Sequence, residues 1–286
     1  MAGIQGNSGQ VRESVISFLL TVASRSLLLR DRLNGRMAER LKGFPFEEER
    51  LSLKSEGRWI SAVHVRAGAN APTFLICHGI GERVEYWSDV QLLLREMGIS
   101  SLVFNYTGFG ASRGRARPAH CEQDAIAACA ELVRRGAGAI FLLGFSLGTG
   151  VAVAIAERVR VEGVILCEGF SSLREAATEA GLPGWLTSVA ADLWSTEKTV
   201  CHLKVPVLVV HSDGDRLFPL SMAERLVKAC GDRGEAIIVN GLEHNAPIFG
   251  ASEAYWGPVA EWAKRLAGPE AAVRGSEDEG GAASPR

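Results

Sequence analysis

The chain has 286 residues, of which 47% are hydrophobic and 22% are charged. These fractions match the average of globular proteins, which excludes collagen-like, coiled-coil and disordered chains. The 31 Lys and Arg residues against 33 Asp and Glu give a net charge of −2, without the positive excess that a nucleic-acid backbone requires. We therefore expect one large domain that binds no nucleic acid.

The six cysteines lie far apart, and no two of them form a Cys-x-x-Cys pair. Cys77 and Cys167 stand inside apolar runs typical of buried strands. This pattern favours reduced core thiols over a disulfide framework or a zinc site. We predict a cytoplasmic protein with no metal.

Residues 1–45 contain apolar side chains at helical spacing, among them Val15, Phe18, Leu19 and Val22, with several arginines around them. The pattern predicts an amphipathic helix. It either packs on the body of the protein or rests on a membrane surface as a peripheral contact. Its run of consecutive apolar residues is too short to span a bilayer. Residues 268–286 lack periodicity and are predicted to be a disordered tail.

Residues 46–267 alternate short apolar runs with helical patterns, which predicts an α/β fold with a mostly parallel sheet covered by helices on both faces. A hairpin around Gly57 precedes this alternation. The predicted strands are Leu51–Lys54, Trp59–Val65, Thr73–Cys77, Ser101–Asn105, Ala139–Leu143, Val161–Cys167, Val205–Val210 and Glu235–Val239. The predicted helices outside the long insertion are Trp87–Glu96, Ala119–Arg135, Leu147–Arg158, Leu220–Cys230 and Ser252–Leu266.

The segment from residue 170 to residue 204 is longer than a plain crossover between two strands needs. Two helical stretches, Leu173–Ala180 and Trp185–Ser195, fall within it. We predict a short helical lid whose Trp185, Leu186 and Trp194 bind substrate. The alternative is that these side chains are ordinary core contacts beneath a long connection.

A nucleophile motif stands between a predicted strand and a predicted helix, in the sequence Gly144-Phe145-Ser146-Leu147-Gly148. A nucleophilic serine needs a sharp strand-to-helix turn, and glycines two positions away on either side relieve the crowding there. Ser146 is therefore the candidate nucleophile. The N–H of Leu147, at the start of the helix, is a candidate oxyanion donor.

A serine nucleophile requires a base and an orienting carboxylate from later loops of the chain. Of the six histidines, His244 follows the last predicted strand, where the order Ser, Asp, His places the base. Asp213 and Asp215 both follow the preceding strand. We favour Asp215 as the acid and Asp213 as a turn residue.

The loop His78-Gly79-Ile80-Gly81 follows the strand Thr73–Cys77 and predicts the second half of an oxyanion hole. The N–H of Ile80 is the candidate donor, and Gly79 is expected to lie against the substrate. His78 stands before the nucleophile in the chain, so we assign it a structural hydrogen bond rather than the role of base.

Together these segments resemble the α/β-hydrolase superfamily over roughly Phe46 to Leu266. Two further segments, Asn105 to Ser112 and Asp215 to Pro219, contribute to the resemblance. The glycine-rich segment from Asn105 looks like that of small depalmitoylase-like and serine-aminopeptidase-like hydrolases. The resemblance implies that Ser146, Asp215 and His244 hold the family's triad positions.

The resemblance implies an esterase or thioesterase that forms an acyl-enzyme with a small-molecule acyl substrate and requires no cofactor. Since one fold hosts many functions, two alternatives remain open. The same triad would serve a peptidase or an acyltransferase, and the fold could instead hold an acyl ligand without turnover.

Overall fold

The computed structural model describes residues 48–179, 181, 187 and 193–268. Eight strands form one sheet in the spatial order β1-β2-β4-β3-β5-β6-β7-β8. The strands are β1 (Glu48–Ser55), β2 (Arg58–Val65), β3 (Thr73–Cys77), β4 (Ser100–Phe104), β5 (Ile140–Phe145), β6 (Gly163–Cys167), β7 (Val207–Ser212) and β8 (Gly234–Val239).

Eight α-helices accompany the sheet in the part of the chain that the structure describes. They are α1 (Ser88–Glu96), α2 (Pro118–Arg134), α3 (Leu147–Ile155), α4 (Leu173–Glu179), α5 (Thr196–Val200), α6 (Leu220–Cys230), α7 (Ala246–Phe249) and α8 (Glu253–Leu266). Short 3₁₀ turns occupy Val84–Trp87 and Gly231–Arg233.

The sheet is mostly parallel, as the alternating pattern predicts. Strands β3 to β8 run parallel to one another, while β1 and β2 form an antiparallel hairpin whose β2 pairs antiparallel with β4. Glu56 and Gly57 turn the hairpin with φ of 44° and 79°. Positive φ at both central residues suits the right-handed twist of the two strands.

The central strands are buried on both faces, so their alternate side chains enter two separate cores. Leu75 and Leu142 face a core closed by α2, α3 and α6. Phe74 and Leu143 face the opposite core, which α1 and α8 close. This two-sided burial explains why these strands form continuous apolar runs in the sequence.

Three predicted regions fall partly or wholly outside the described residues. The N-terminal segment 1–45 lies outside them, as does the tail from residue 269 onward, and both stay predictions. The second lid helix, Trp185–Ser195, lies mostly outside as well. Within the described ranges no helix is long and apolar enough to cross a membrane.

The first turn of α3 packs directly on the end of β3. A Cβ atom at Gly148 would overlap the carbonyl oxygen of Cys77 and come within 3.0 Å of the carbonyl oxygen of His78. Both obstacles are backbone atoms of a central strand, so the helix itself would have to move. Position 148 therefore requires glycine because the helix lies too close to the end of β3 for a side chain to fit, and not because of an unusual backbone conformation.

We predict that Gly148→Ala destabilises the protein by about 1–3 kcal/mol, because inserting a methyl group forces backbone shifts in a packed core. Gly138→Ala is the control, since a Cβ there meets no heavy atom within 4 Å. Urea unfolding followed by circular dichroism measures both variants. Equal free energies of unfolding for the two variants would contradict the packing argument.

Candidate active site

Ser146 lies at the junction of β5 and α3 with φ of 51° and ψ of −119°. A positive φ in a residue with a side chain costs on the order of 1–3 kcal/mol and persists only where the surroundings enforce it. Here the N–H of Ser146 donates to the carbonyl oxygen of Cys167 at 3.0 Å, which ties the turn to β6. The strained turn places the hydroxyl at the carboxyl edge of the sheet.

Gly144 and Thr149 hold the same turn from its two ends. A Cβ at Gly144 would lie 2.5 Å from the carbonyl oxygen of Gly148 and 2.5 Å from Cα of Thr149. The Thr149 hydroxyl donates to the carbonyl oxygen of Ser146 at 2.7 Å, and its N–H donates to the same oxygen at 3.0 Å. The glycines flanking the serine are thus explained by steric exclusion on both sides.

A hydrogen-bonded chain joins Ser146 to the loops after β7 and β8. Nε2 of His244 lies 2.9 Å from Oγ of Ser146, and Nδ1 of His244 lies 2.7 Å from Oδ2 of Asp215. The rings of Phe145 and Phe218 pack against the imidazole, with centroid distances of 5.6 and 5.1 Å. These contacts fix the plane of the ring, so both nitrogens keep their partners.

The two aspartates of the loop after β7 take different positions. Asp215 is 8% exposed and faces His244. Asp213 is exposed, and its Oδ1 accepts the N–H of Gly241 at 2.6 Å. Asp213 therefore connects the β7 loop to the loop that carries His244, while the carboxylate at the imidazole is that of Asp215.

The surroundings of Asp215 favour its ionised form. Burial by itself raises the pKa of this carboxyl, but the hydrogen bond and charge of His244 and two backbone donors lower it overall. These donors are the N–H groups of Leu217 and Phe218, which reach Oδ1 at 2.7 and 3.1 Å. The second oxygen, Oδ2, remains directed at the imidazole.

The loop after β3 lies against the serine. A Cβ at Gly79 would come 3.1 Å from Cβ of Ser146, so only a bare backbone leaves space for a substrate there. The N–H of Gly79 donates to Oε2 of Glu82 at 2.9 Å. Because that N–H is occupied, the next N–H along the loop is that of Ile80, the predicted donor.

His78 is fully buried beneath this loop and does not contact the serine hydroxyl. Its Nδ1 donates to the carbonyl oxygen of Gly79 at 2.8 Å, and its ring packs on Tyr106 and Phe109. Burial lowers the pKa of His78 to about 4, so the ring stays neutral. The contacts agree with the structural hydrogen bond expected from the sequence.

Glu82 is a site residue that the sequence reasoning missed. Its Oε2 accepts the N–H of Gly79 and the indole N–H of Trp87, both at 2.9 Å. Burial raises the pKa of Glu82 to about 7 against the lowering effect of these two donors. An acidic residue three positions after Gly79 was the available signal.

Glu168 was also missed, although it directly follows β6 as an acidic residue at the carboxyl edge. Oxygen or nitrogen atoms of Glu168, Asp215 and His244 lie within 4.8 Å of one another. Both oxygens of Glu168 already accept hydrogen bonds, from the N–H of Ser212 and the hydroxyl of Tyr255. Hydrogen bonding therefore accounts for this grouping of side chains.

The three predicted lid residues are not brought together in the described part of the chain. Trp185 and Leu186 lie outside it. Trp194 is 7% exposed and packs in the core, where a Cβ at Gly150 would lie 2.7 Å from its own Cβ. Its indole N–H donates to Glu122 of α2 at 3.0 Å. Trp194 is therefore a core contact beneath a long connection, as the alternative to the lid prediction states.

A cleft of about 560 Å³ opens beside His244, on the side of α7. Its described lining comes from the loops after β7 and β8 and from α7. Its lining residues are Arg216, Leu217, Glu243, His244, Asn245, Ala246 and Phe249. The mixture of one basic, one acidic and several apolar side chains would accept an amphiphilic molecule.

Comparison with known proteins gives relatives for most of this domain. A sequence profile described as the alpha/beta hydrolase fold matches residues 72–194. An uncharacterised protein of Mycobacterium tuberculosis is 30% identical over 186 residues, which cover 63% of this chain and 66% of that protein. The lysophosphatidylserine lipase ABHD12 of Danio rerio is 28% identical over 176 residues, which cover 54% of this chain and 46% of the lipase.

Solved structures agree on the fold. The esterase Pf2001 of Pyrococcus furiosus superposes with a TM-score of 0.66 at 19% identity, covering 78% of this chain and 94% of the esterase. The alignment to the mycobacterial relative spans just under two thirds of that protein, and the alignment to the lipase spans about half. Together with the eight-stranded sheet and the strand–Ser146–helix turn, these matches show that the chain has the α/β-hydrolase fold.

Proposed function

We propose that this protein is a serine hydrolase that cleaves carboxylic ester or thioester bonds through an acyl-enzyme. One observation carries the proposal: the unbroken hydrogen-bonded chain from Asp215 through His244 to Ser146, at 2.7 and 2.9 Å. A serine hydroxyl is a weak nucleophile until an imidazole takes its proton, and this geometry provides the imidazole.

In the proposed mechanism Oγ of Ser146 attacks the acyl carbonyl carbon while Nε2 of His244 takes the hydroxyl proton. Collapse of the tetrahedral intermediate expels the alcohol or thiol, which receives that proton. Water then attacks the acyl-enzyme by the same route and regenerates the serine. Asp215 stabilises the imidazolium in both halves, and no metal or organic cofactor takes part.

The negative charge that develops on the carbonyl oxygen needs fixed donors. We assign this role to the N–H groups of Leu147 and Ile80. Leu147 is the first residue of α3, where the helix dipole favours an anion. Ile80 follows Gly79, whose own N–H is held by Glu82. The glutamate thereby selects which amide of the loop faces the substrate.

The substrate is proposed to be a small-molecule acyl ester or thioester. Leu217, Ala246 and Phe249 give the cleft beside His244 an apolar side on which an acyl chain can lie. The names of two relatives, a lysophosphatidylserine lipase and an esterase, agree with ester substrates. Trp185 and Leu186 stay predicted substrate contacts.

Ser146→Ala should abolish turnover, because the hydroxyl supplies the atom that forms the new bond. A loss on the order of 10⁴–10⁶ in kcat is expected for the loss of a triad nucleophile. A fluorophosphonate probe followed by p-nitrophenyl ester hydrolysis measures both reactivity and turnover. Ser88→Ala is the control and should retain labelling. Activity of Ser146→Ala within tenfold of wild type would refute the assignment.

Asp215→Asn and Asp213→Asn should separate the two aspartates, since only Asp215 contacts the imidazole. Asp215→Asn should lower kcat by about 10³–10⁴, because the amide favours the wrong imidazole tautomer. Asp213→Asn should cost much less. Steady-state kinetics on one activated ester compares them, and a reversed order of losses would move the acid to Asp213.

The cleft predicts a dependence on acyl-chain length. Each buried methylene is worth roughly 0.8 kcal/mol, or about fourfold in kcat/KM, so lengthening an ester from two to six carbons should raise kcat/KM by about two orders of magnitude. Phe249→Ala should reduce that slope. Ile238→Ala is the matched control, because both side chains are about equally exposed, at 48% and 45%, but Ile238 lies on β8. An unchanged slope in Phe249→Ala would place the acyl chain elsewhere.

A further inference from the structure

Glu168 is a buried acid at the site for which the proposed mechanism has no use. It directly follows β6, has a positive φ of 46° and is 0% exposed. Its Oε2 accepts the N–H of Ser212 at 3.1 Å, and its Oε1 accepts the hydroxyl of Tyr255 at 3.0 Å. A strained backbone that directs a carboxyl group inward, beside Asp215, requires an explanation.

Two carboxylates this close in a buried site cannot both be ionised at low cost. Atoms of Glu168, Asp215 and His244 all lie within 4.8 Å of one another. Asp215 has two backbone donors in addition to His244. Glu168 has one backbone donor and one phenol. The negative charge therefore belongs on Asp215, and the proton belongs on Glu168.

His211 faces that proton with an unpaired ring nitrogen. Its Nε2 donates to the carbonyl oxygen of Phe218 at 3.0 Å, so in the neutral ring Nδ1 carries a lone pair. Nδ1 is buried, has no hydrogen-bond partner within the described residues, and lies 3.6 Å from Oε2 of Glu168. Burial lowers the pKa of His211, so this ring offers no compensating positive charge.

The groups that face Glu168 come from five parts of the fold. They are His211 and Ser212 of β7, Asp215 of the following loop, His244 of the loop after β8, Tyr255 of α8 and Cys167 of its own strand. Arg and Lys are absent from this set of described neighbours. An ionised Glu168 would therefore stand beside Asp215 without a permanent positive partner.

We propose that Glu168 is a positioning residue that acts in its neutral acid form, with its proton on the side of His211 and Asp215, so that Asp215 alone carries charge beneath His244. This inference rests on the proposed function. Burial first, and then the hydrogen bond and charge of Asp215, raise the pKa of Glu168 to about 8, in agreement with a neutral group at pH 7.

The raised pKa makes stability depend on pH in a definite direction. In the unfolded chain Glu168 ionises near its ordinary value of 4.5, while in the fold it ionises near 8. Between these values the folded state binds more protons than the unfolded state, so stability falls as pH rises through this window. Above it, the second negative charge should displace Asp215 and lower the rate.

The experiment compares wild type with Glu168→Gln, Glu168→Ala and the control Glu162→Gln from pH 5 to pH 9.5. Each protein is measured by its unfolding midpoint, its rate of fluorophosphonate labelling and its kcat and KM on an activated ester. Glutamine keeps a donor and an acceptor without the titration, and Glu162 precedes the same strand with no expected role at the site.

We expect Glu168→Gln to keep activity within about fivefold of wild type at pH 7 and to lose less of it above pH 8. Its gain in unfolding midpoint over wild type should grow from pH 5 to about pH 8, with no such trend in Glu162→Gln. Glu168→Ala should lower kcat by about tenfold to a hundredfold with little change in KM. These losses would follow from a misplaced Asp215.

Two results would overturn the proposal: a Glu168→Gln variant as inactive as Glu168→Ala, or a stability difference that does not change with pH. If Glu168→Ala fails to fold, the activity of Glu168→Gln and the pH dependence of its stability still test the proposal. Absence of labelling and turnover in wild type would refute the proposed function instead, and the pH dependence of the unfolding midpoint would still test whether Glu168 is neutral.

Discussion

The site depends on how closely the first turn of α3 approaches the ends of β3 and β5. That approach leaves no room for a Cβ at Gly144 or Gly148, and it forces Ser146 into a positive φ. Hydrogen bonds from Ser146 to β6 and from Thr149 back to Ser146 hold the turn closed. The same steric constraint brings Gly79 against the serine, so Ser146 and the loop after β3 are positioned by one packing arrangement.

Asp215 and His244 come together because the loops after β7 and β8, at the same edge of the sheet, are hydrogen-bonded to each other. Asp213 accepts the N–H of Gly241. The Ser212 hydroxyl accepts the N–H of Leu242 at 2.9 Å and donates to its carbonyl oxygen at 2.7 Å. Since Asp215 lies in the first of these loops and His244 in the second, their separation is set by backbone contacts rather than by the side chains alone.

This edge of the sheet holds three buried carboxyl groups, those of Glu82, Glu168 and Asp215. Burial raises the pKa of Glu82 to about 7 and that of Glu168 to about 8, while hydrogen bonds keep the pKa of Asp215 below its ordinary value. Carboxyl groups of different protonation can thus stand close together, because each has its own set of donors. Glu82 orders the loop after β3 by accepting the N–H of Gly79, much as Glu168 is proposed to order the Asp215 loop.

The sequence by itself determined the alternation of strands and helices, the hairpin at Gly57 and the turn at Ser146, because these follow from local periodicity and from glycine at fixed positions. It also pointed to Asp215 and His244, since parallel strands bring their carboxyl ends to one edge. It could not determine that Trp194 packs in the core, that Glu82 holds Gly79, or that Glu168 faces Asp215 and His211. Those contacts join residues distant in the chain, and no local pattern encodes them. Only the packing of the folded sheet decided which buried acid stands beside which donor.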